Sequence, residues 1–226
     1  MADSKTTIPR RVYGRKQTRP PKGERLNALE TLLPQIQIKL PLNGALFPNS
    51  KKETWLEIGF GNGEHLAGLI KRHTDVNFIG AEFFINGMAA FLNHIEDVPH
   101  DNIRAFMDDA ILLVDELPVA SINRIYVLNP DPWPKKRHHK RRIISQDNLT
   151  RFARILKPGG LLVMATDVDD LAGWMVTQAS NHSAFEWTAE TIEECKTMPK
   201  DWIITRYQTR GANAGRKQTY LVFKRV

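Results

Sequence analysis

From position 54 onward, short continuous apolar runs alternate with longer stretches whose apolar residues recur every three or four positions. Thr54 to Gly59, Asn77 to Glu82, Asn102 to Phe106, Ser121 to Asn129 and Leu161 to Asp167 read as strands. Between them, Gly63 to Arg72, Ile85 to Asp97 and Ile143 to Leu156 have helical length and spacing. Strands that lack polar alternation are buried on both faces, so the pattern predicts an α/β fold with a parallel sheet covered by helices. Lys157-Pro158-Gly159-Gly160 supplies a helix stop and a tight turn before the fifth strand. After Trp202, Ile203 to Gln208 and Thr219 to Lys224 read as two closing strands, a C-terminal antiparallel hairpin. Ligands of such sheets sit outside the carboxyl ends of the strands.

The first 25 residues break this pattern, being poor in apolar residues and rich in proline and cations, and read as a basic flexible arm. Residues 26–226 then form a single domain, consistent with a 226-residue chain of ordinary globular composition. Charge sharpens the division. The net charge is +7, yet residues 1–25 alone carry +6 and the acid-free segment Lys135 to Arg142 another +6, which leaves −5 on the remainder. An acidic body with two basic patches suits a partner that is a polyanion met at defined places. A solvated face or tail explains such runs equally well when nothing else is considered. A single cysteine, Cys195, excludes an internal disulfide framework and a multi-cysteine metal site. No apolar run reaches the roughly 18 residues of a membrane span and no apolar signal core follows Met1, so a cytoplasmic protein with no membrane partner and no metal is expected. Oligomeric state stays open between monomer and weak homodimer.

The first strand runs into Glu57-Ile58-Gly59-Phe60-Gly61-Asn62-Gly63, where glycines allow a sharp turn and close approach to a ligand. A dinucleotide fingerprint would place its third glycine at position 64, where Glu64 stands instead. That acid in the first helical turn also disfavours a phosphate. S-adenosylmethionine has no phosphate and carries a sulfonium cation, which suits a carboxylate such as Glu57 beneath the loop. Glu82 ends the second strand, 21 residues past Gly61, where it can accept both ribose hydroxyls. Asp109, after the third strand, can accept from the adenine amino group.

The fourth strand ends in Asn129-Pro130-Asp131-Pro132-Trp133, followed by Pro134 and the basic run. Prolines on either side of Asp131 limit its backbone freedom, which holds its carboxylate near the reactive end of a cofactor. Trp133 offers a face for base stacking, and the cations after it offer phosphate contacts.

These residues resemble the bacterial tRNA (guanine-N7)-methyltransferases of the TrmB type, over a stretch from about Glu53 to Val226. The resemblance is carried by Glu57 to Gly63, Ile79-Gly80-Ala81-Glu82, Pro130-Asp131-Pro132-Trp133, Lys135 to Arg142, Ala165-Thr166-Asp167 and Thr205-Arg206-Tyr207-Gln208. It implies a Rossmann-like class I methyltransferase fold with a mostly parallel seven-stranded sheet, S-adenosyl-L-methionine as cofactor and tRNA as partner. By that likeness Glu57, Gly59, Gly61, Gly63, Glu82, Asp109 and Asp131 line the cofactor site, with Asp131 the catalytic residue. Lys135, Asp167, Thr205, Arg206, Tyr207 and Gln208 contact the guanine nucleotide, and Arg137, Lys140, Arg141 and Arg142 the tRNA. The family usually has phenylalanine where this chain has Asn129, and glutamate where it has Gln208.

Guanine N7 offers a lone pair and has no proton to lose, so the reaction implied needs no general base. Asp131 is expected to orient the guanine and stabilise the positive charge developing on it. Three rivals remain at this point. Asn129-Pro130 with Pro132-Trp133 looks like the Asn-Pro-Pro-aromatic loop of adenine or cytosine amino-methyltransferases, interrupted by Asp131. A non-catalytic RNA-binding protein on a methyltransferase scaffold is the second, and a dehydrogenase the third.

Overall fold

The computed structural model describes residues 16–47 and 53–226. Residues 1–15 of the basic arm therefore lie outside the described residues. The chain begins with helices α1 (Glu24–Thr31) and α2 (Leu33–Ile36) and then alternates β1 (Glu53–Ile58), α3 (Glu64–Arg72), β2 (Val76–Ala81), α4 (Ile85–His94), β3 (Ile103–Phe106), α5 (Ala110–Glu116) and β4 (Ile122–Leu128). A 3-10 helix at Lys136–Arg141 precedes α6 (Gln146–Ile155), β5 (Leu156–Thr166), α7 (Asp169–Ser180), β6 (Phe185–Trp187), α8 (Arg206–Asn213) and β7 (Thr219–Arg225). The strands form one sheet in the order β3-β2-β1-β4-β5-β7-β6, parallel from β3 to β5 and antiparallel at β7 and β6.

Neighbouring residues of each central strand enter opposite layers of the core. Leu56, Ile125, Leu162 and Leu221 pack with Ile111, Leu149, Phe152 and Met175 on one side. Trp55, Tyr126, Val163 and Tyr220 pack with Leu66, Leu69, Phe91 and Trp202 on the other. Burial on both faces is what removes polar alternation from these strands. The five strands read from the sequence are all present, within a few residues.

Three local expectations change. The Lys157 to Gly160 turn lies inside β5: Ile122 pairs with Leu156 and Arg124 with Leu161, so residues 157–160 bulge out of the ladder, with Gly159 at φ 77°. Ile203 to Gln208 is not a strand, because Thr205 Oγ1 accepts the Gln208 N–H at 3.2 Å and caps α8. The terminal antiparallel pair is therefore β6 with β7, joined through residues 188–218 rather than by a tight hairpin.

The chain from Lys16 onward is held against the start of α4. Ile85 donates its N–H to the Lys16 carbonyl at 2.9 Å, Thr18 N–H donates to Asn86 Oδ1 at 3.1 Å, and Asn86 Nδ2 donates to the Arg19 carbonyl at 2.8 Å. Lys16 Nζ lies 6.0 Å from the Phe83 ring centroid, beside the carboxyl end of β2.

Candidate active site

Between β1 and α3 the chain turns at Gly59, Gly61 and Gly63, with φ of 69°, 58° and 74°. These are left-handed conformations that other residues adopt only with strain. A Cβ at Gly59 or Gly61 would meet nothing within 4 Å, so open space lies over this part of the loop, whereas a Cβ at Gly63 would meet Phe91 at 2.5 Å. Glu82 fixes the loop from the next strand: its Oε2 accepts the Gly61 N–H at 2.7 Å and its Oε1 the Phe84 N–H at 2.8 Å. Each carboxylate oxygen keeps a further lone pair for ribose hydroxyls. Burial pushes the Glu82 pKa up, the backbone donors at Phe84 and Gly61 oppose that rise, and the charge of Asp131 adds to it.

Beneath the loop, Glu57 is 2% exposed and its Oε2 lies 2.8 Å from His65 Nδ1, which donates to it; His65 is equally buried. The far ring nitrogen, His65 Nε2, is buried with no hydrogen-bond partner, and the ring packs against Tyr126 and Trp202. Sequence reasoning passed over His65. Its signal was its place with Leu69 on the apolar stripe of α3, one turn apart. Glu57, the glycine loop, His65, Asn129, Thr205 and Tyr207 enclose a cavity of about 150 Å³. Asp109 reaches the same end of the sheet, one of its oxygens capping α5 by accepting the Ile111 N–H at 3.0 Å.

The loop after β4 is bent by Asn129 at φ 46° and Trp133 at φ 44°. Asparagine tolerates the left-handed region better than phenylalanine does, which gives the departure at position 129 a backbone reason. The turn is fastened by the Asn129 N–H donating to the Ala165 carbonyl at 2.7 Å and by Gln218 Nε2 donating to Asn129 Oδ1 at 2.9 Å. Asp131 lies two residues past the cavity-lining Asn129; it is exposed, and partial desolvation of its carboxyl raises its pKa. Its charge adds a small upward push to the pKa of both Glu82 and Tyr207.

On that second wall Asp167 is buried, accepting from Tyr207 Oη at 3.2 Å and from Arg216 Nε at 2.7 Å. A Cβ at Gly211 would come within 2.6 Å of Asp167 Oδ2, so the glycine in α8 is what lets the helix close over the acid. Arg216 carried no sequence signal, being one cation among several near the C-terminus. Tyr207 is 49% exposed, and its pKa is raised by partial burial first and by the Asp167 charge second. Arg206 is exposed and ion-paired to Glu64 at 2.7 Å. Gln208 is tied on both sides, its Oε1 accepting from Trp202 Nε1 at 2.8 Å and its Nε2 donating to Tyr220 Oη at 2.7 Å.

Lys135, Arg137 and Lys140 are exposed, as is Lys136, which gives the 3-10 segment an outward cationic face. Arg141 instead lies over the Trp133 ring, 5.0 Å from its centroid. Arg142 departs from the expectation of an RNA contact: its side chain is 1% exposed, its Nε donates to the Pro132 carbonyl at 2.9 Å and its guanidinium pairs with Asp170.

Residues 51–221 match a family described as "Putative methyltransferase". The chain is 44% identical over 219 residues to the tRNA (guanine-N(7)-)-methyltransferase of Rhizobium meliloti (strain 1021), covering 95% of this chain and 94% of that one. It is 42% identical to the enzyme of the same name from Bartonella quintana (strain Toulouse), covering 99% of both. This chain belongs to the tRNA (guanine-N7-)-methyltransferase family. Solved structures similar to it include the 16S rRNA methyltransferase KamB, at TM-score 0.55 and 13% identity over 77% of this chain and 88% of that one. The aminoglycoside resistance methyltransferase NpmB1 gives 0.50 and 18% over 79% and 89%. These two support the class I methyltransferase fold. The family's cofactor is S-adenosylmethionine, and the site suits it: carboxylates at Glu57 and Glu82, open space over Gly59 and Gly61, and Glu64 where a phosphate would sit. Among the described residues no helix is long and apolar enough to cross a membrane.

Proposed function

We propose that this protein is a cytoplasmic enzyme that methylates N7 of a guanine in the variable loop of tRNA. The observation that carries the reading is the loop after β4, whose left-handed Asn129 lines the cavity beside the glycine loop and which carries Asp131 two residues on and then an exposed run of cations. Glu57, Gly59, Gly61, Gly63, Glu82 and Asp109 would hold the cofactor, Glu82 through its free lone pairs. When bound, S-adenosylmethionine supplies an electrophilic methyl on a sulfonium, and a site walled by carboxylates favours that cation.

Guanine N7 brings its own lone pair, so the protein's work is placement, which supplies several kcal/mol of rate enhancement. Asp131 orients the base and stabilises the positive charge that develops on it. Tyr207, presented over Asp167, offers a face for the base, with Thr205, Arg206, Gln208 and Lys135 around it. Lys135, Lys136, Arg137 and Lys140 meet backbone phosphates, and Lys16, beside Phe83 at the carboxyl end of β2, adds a further cation at the same end of the sheet. Incubation with methyl-labelled S-adenosylmethionine and unmodified tRNA, followed by nucleoside analysis, tests the whole reading: label is expected in 7-methylguanosine. Label in an exocyclic-amino-methylated adenine or cytosine would select the interrupted-loop alternative.

A further inference from the structure

Arg142 closes a short 3-10 helix, in which residues three apart lie over one another. The segment uses that repeat twice. His138 and Arg141 grip Trp133, the histidine edge-on at 5.9 Å and the guanidinium at 5.0 Å from the ring centroid. His139 and Arg142 grip Trp174 of α7, at 5.5 Å and 5.1 Å. Trp174 is itself fixed by its Nε1 donating to the Ile144 carbonyl at 2.7 Å. Of all these groups Arg142 reaches furthest: it touches α7 through Asp170 and Trp174, and the substrate loop through the carbonyl of Pro132, the residue after Asp131.

We propose that Arg142, held by Asp170, is a positioning residue that sets the Asp131 loop, and that it takes no part in binding RNA phosphates. The proposal rests on the role given to Asp131 above. The loop it braces carries left-handed residues at Asn129 and Trp133, a conformation that persists only where the surroundings hold it. One anchor lies at each end: Asn129 is tied to Ala165 and Gln218, and Pro132 is tied to Arg142. A buried guanidinium bonded to a backbone carbonyl and a carboxylate is fixed in direction, and so fixes what it holds. The basic run therefore divides by position, with Lys135, Lys136, Arg137 and Lys140 facing outward and Arg142 facing the loop.

The test compares Arg142→Lys and Asp170→Asn with the parent chain. Each is expected to lower kcat on the order of ten- to a hundredfold, the scale of small misplacements in an active site. KM and Kd for tRNA, the salt dependence of tRNA binding and the Kd for S-adenosylmethionine should stay within about twofold. Circular dichroism checks the fold, and Asp170→Asn guards against a misfolded Arg142 variant because it keeps the arginine in the core while removing the charge that holds its guanidinium toward Pro132. Electrostatics makes the opposite prediction. Were Arg142 a phosphate contact, Asp170→Asn would remove a negative charge beside the RNA and tighten tRNA binding at unchanged kcat, while Arg142→Gln would reduce the salt slope by about one. That pattern, or full kcat in both Arg142→Lys and Asp170→Asn, overturns the proposal. Asp131→Asn run in parallel separates the two claims. An inactive Asp131→Asn beside fully active Arg142→Lys and Asp170→Asn removes the brace alone, whereas a fully active Asp131→Asn removes both.

Discussion

Glu64 Oε2 accepts the backbone N–H of Arg206 at 2.5 Å and Glu64 Oε1 accepts its Nε at 2.7 Å, joining residues 142 positions apart. The carboxylate thereby serves the N-terminus of α8 from a different helix, where a negative charge is favourable. The same face of α3 continues the contact, His65 meeting Trp202 and Gly68 leaving room for Ile203, whose side chain a Cβ there would meet at 2.8 Å. The helix that begins at the glycine loop is thus packed on the segment that leads into the base-facing wall.

Glu64→Ala should loosen α8 without unfolding the protein. The two lost charge-assisted bonds are worth about 1.5–3 kcal/mol apiece when shielded, less here because the Arg206 side chain is largely exposed. Hydrogen exchange at the amides of Arg206 to Thr209 should quicken, and methyl transfer should fall, while the melting temperature moves by only a few degrees. Unchanged exchange there would mean that α8 is held by its apolar contacts alone.

Asp131→Asn preserves shape and removes charge. Loss of turnover on the order of a hundredfold or more is expected, because electrostatic stabilisation of developing charge is the role assigned. Asp131 is exposed rather than in the core, so thermal stability should change by less than about 1 kcal/mol. Near-parental turnover would end the assignment.

The parallel strands were legible because double burial writes uninterrupted apolar runs, as in Ile125 to Val127 and Leu161 to Ala165. The short β6 was missed because Phe185–Trp187 is too brief to show a period. Residues 203–208 misled for a physical reason. Ile203 and Ile204 look like strand residues, but Ile203 fills the gap at Gly68 and Thr205 is a helix cap. The acids Glu57, Glu82, Asp109 and Asp131 were singled out from strand-end positions, and each lies at or shortly past the carboxyl end of its strand. What spacing could not show was which cation of the run is buried, since the burial of Arg142 depends on Trp174 and Asp170, which are remote in sequence.

Glu82 gives a pH dependence with opposite signs for stability and binding. Its folded-state pKa is raised above 4.5 by burial, so the unliganded protein loses stability as pH rises through that raised value. Cofactor affinity should do the reverse, rising over the same window as the carboxylate gains acceptors for the ribose hydroxyls. Calorimetry between about pH 4 and 7 should show this limb, lying above the range of an ordinary glutamate. Glu82→Gln should flatten it and weaken binding by about 1.5–3 kcal/mol. A pH-dependent limb that survives in Glu82→Gln would assign it to another group.

Salt dependence should report the outward cations one by one. Lys136→Ala, Arg137→Ala and Lys140→Ala are each expected to lower tRNA affinity and to shallow the plot of log affinity against log salt by about one unit. Cofactor affinity should be untouched. An unaltered slope in the triple variant would leave tRNA binding to the arm and the base pocket.

Gln208 is where the family's usual glutamate meets a specific structural constraint. The Gln208 amide accepts from Trp202 Nε1 and donates to Tyr220 Oη, so it links the packing around His65 to the start of β7. Gln208→Ala leaves both partners to find water or go unsatisfied, and should cost about 1–3 kcal/mol of stability by denaturant titration. Gln208→Glu is different in kind. A carboxylate accepts from the indole as the amide does, and Tyr220 can turn its hydroxyl from acceptor to donor, so both contacts survive and the stability change should be under about 1 kcal/mol. If the amide is only a bridge between Trp202 and Tyr220, Gln208→Glu should retain parental turnover on guanine-containing tRNA. If the side chain leaves this bridge to meet the guanine N1–H and N2–H, the added charge should raise turnover several-fold, since bonds to a charged acceptor are roughly twice as strong. Single-turnover rates of the two variants, normalised to folded protein, decide between a structural bridge and a base contact, and a gain in Gln208→Glu would show that the bridge opens during the reaction.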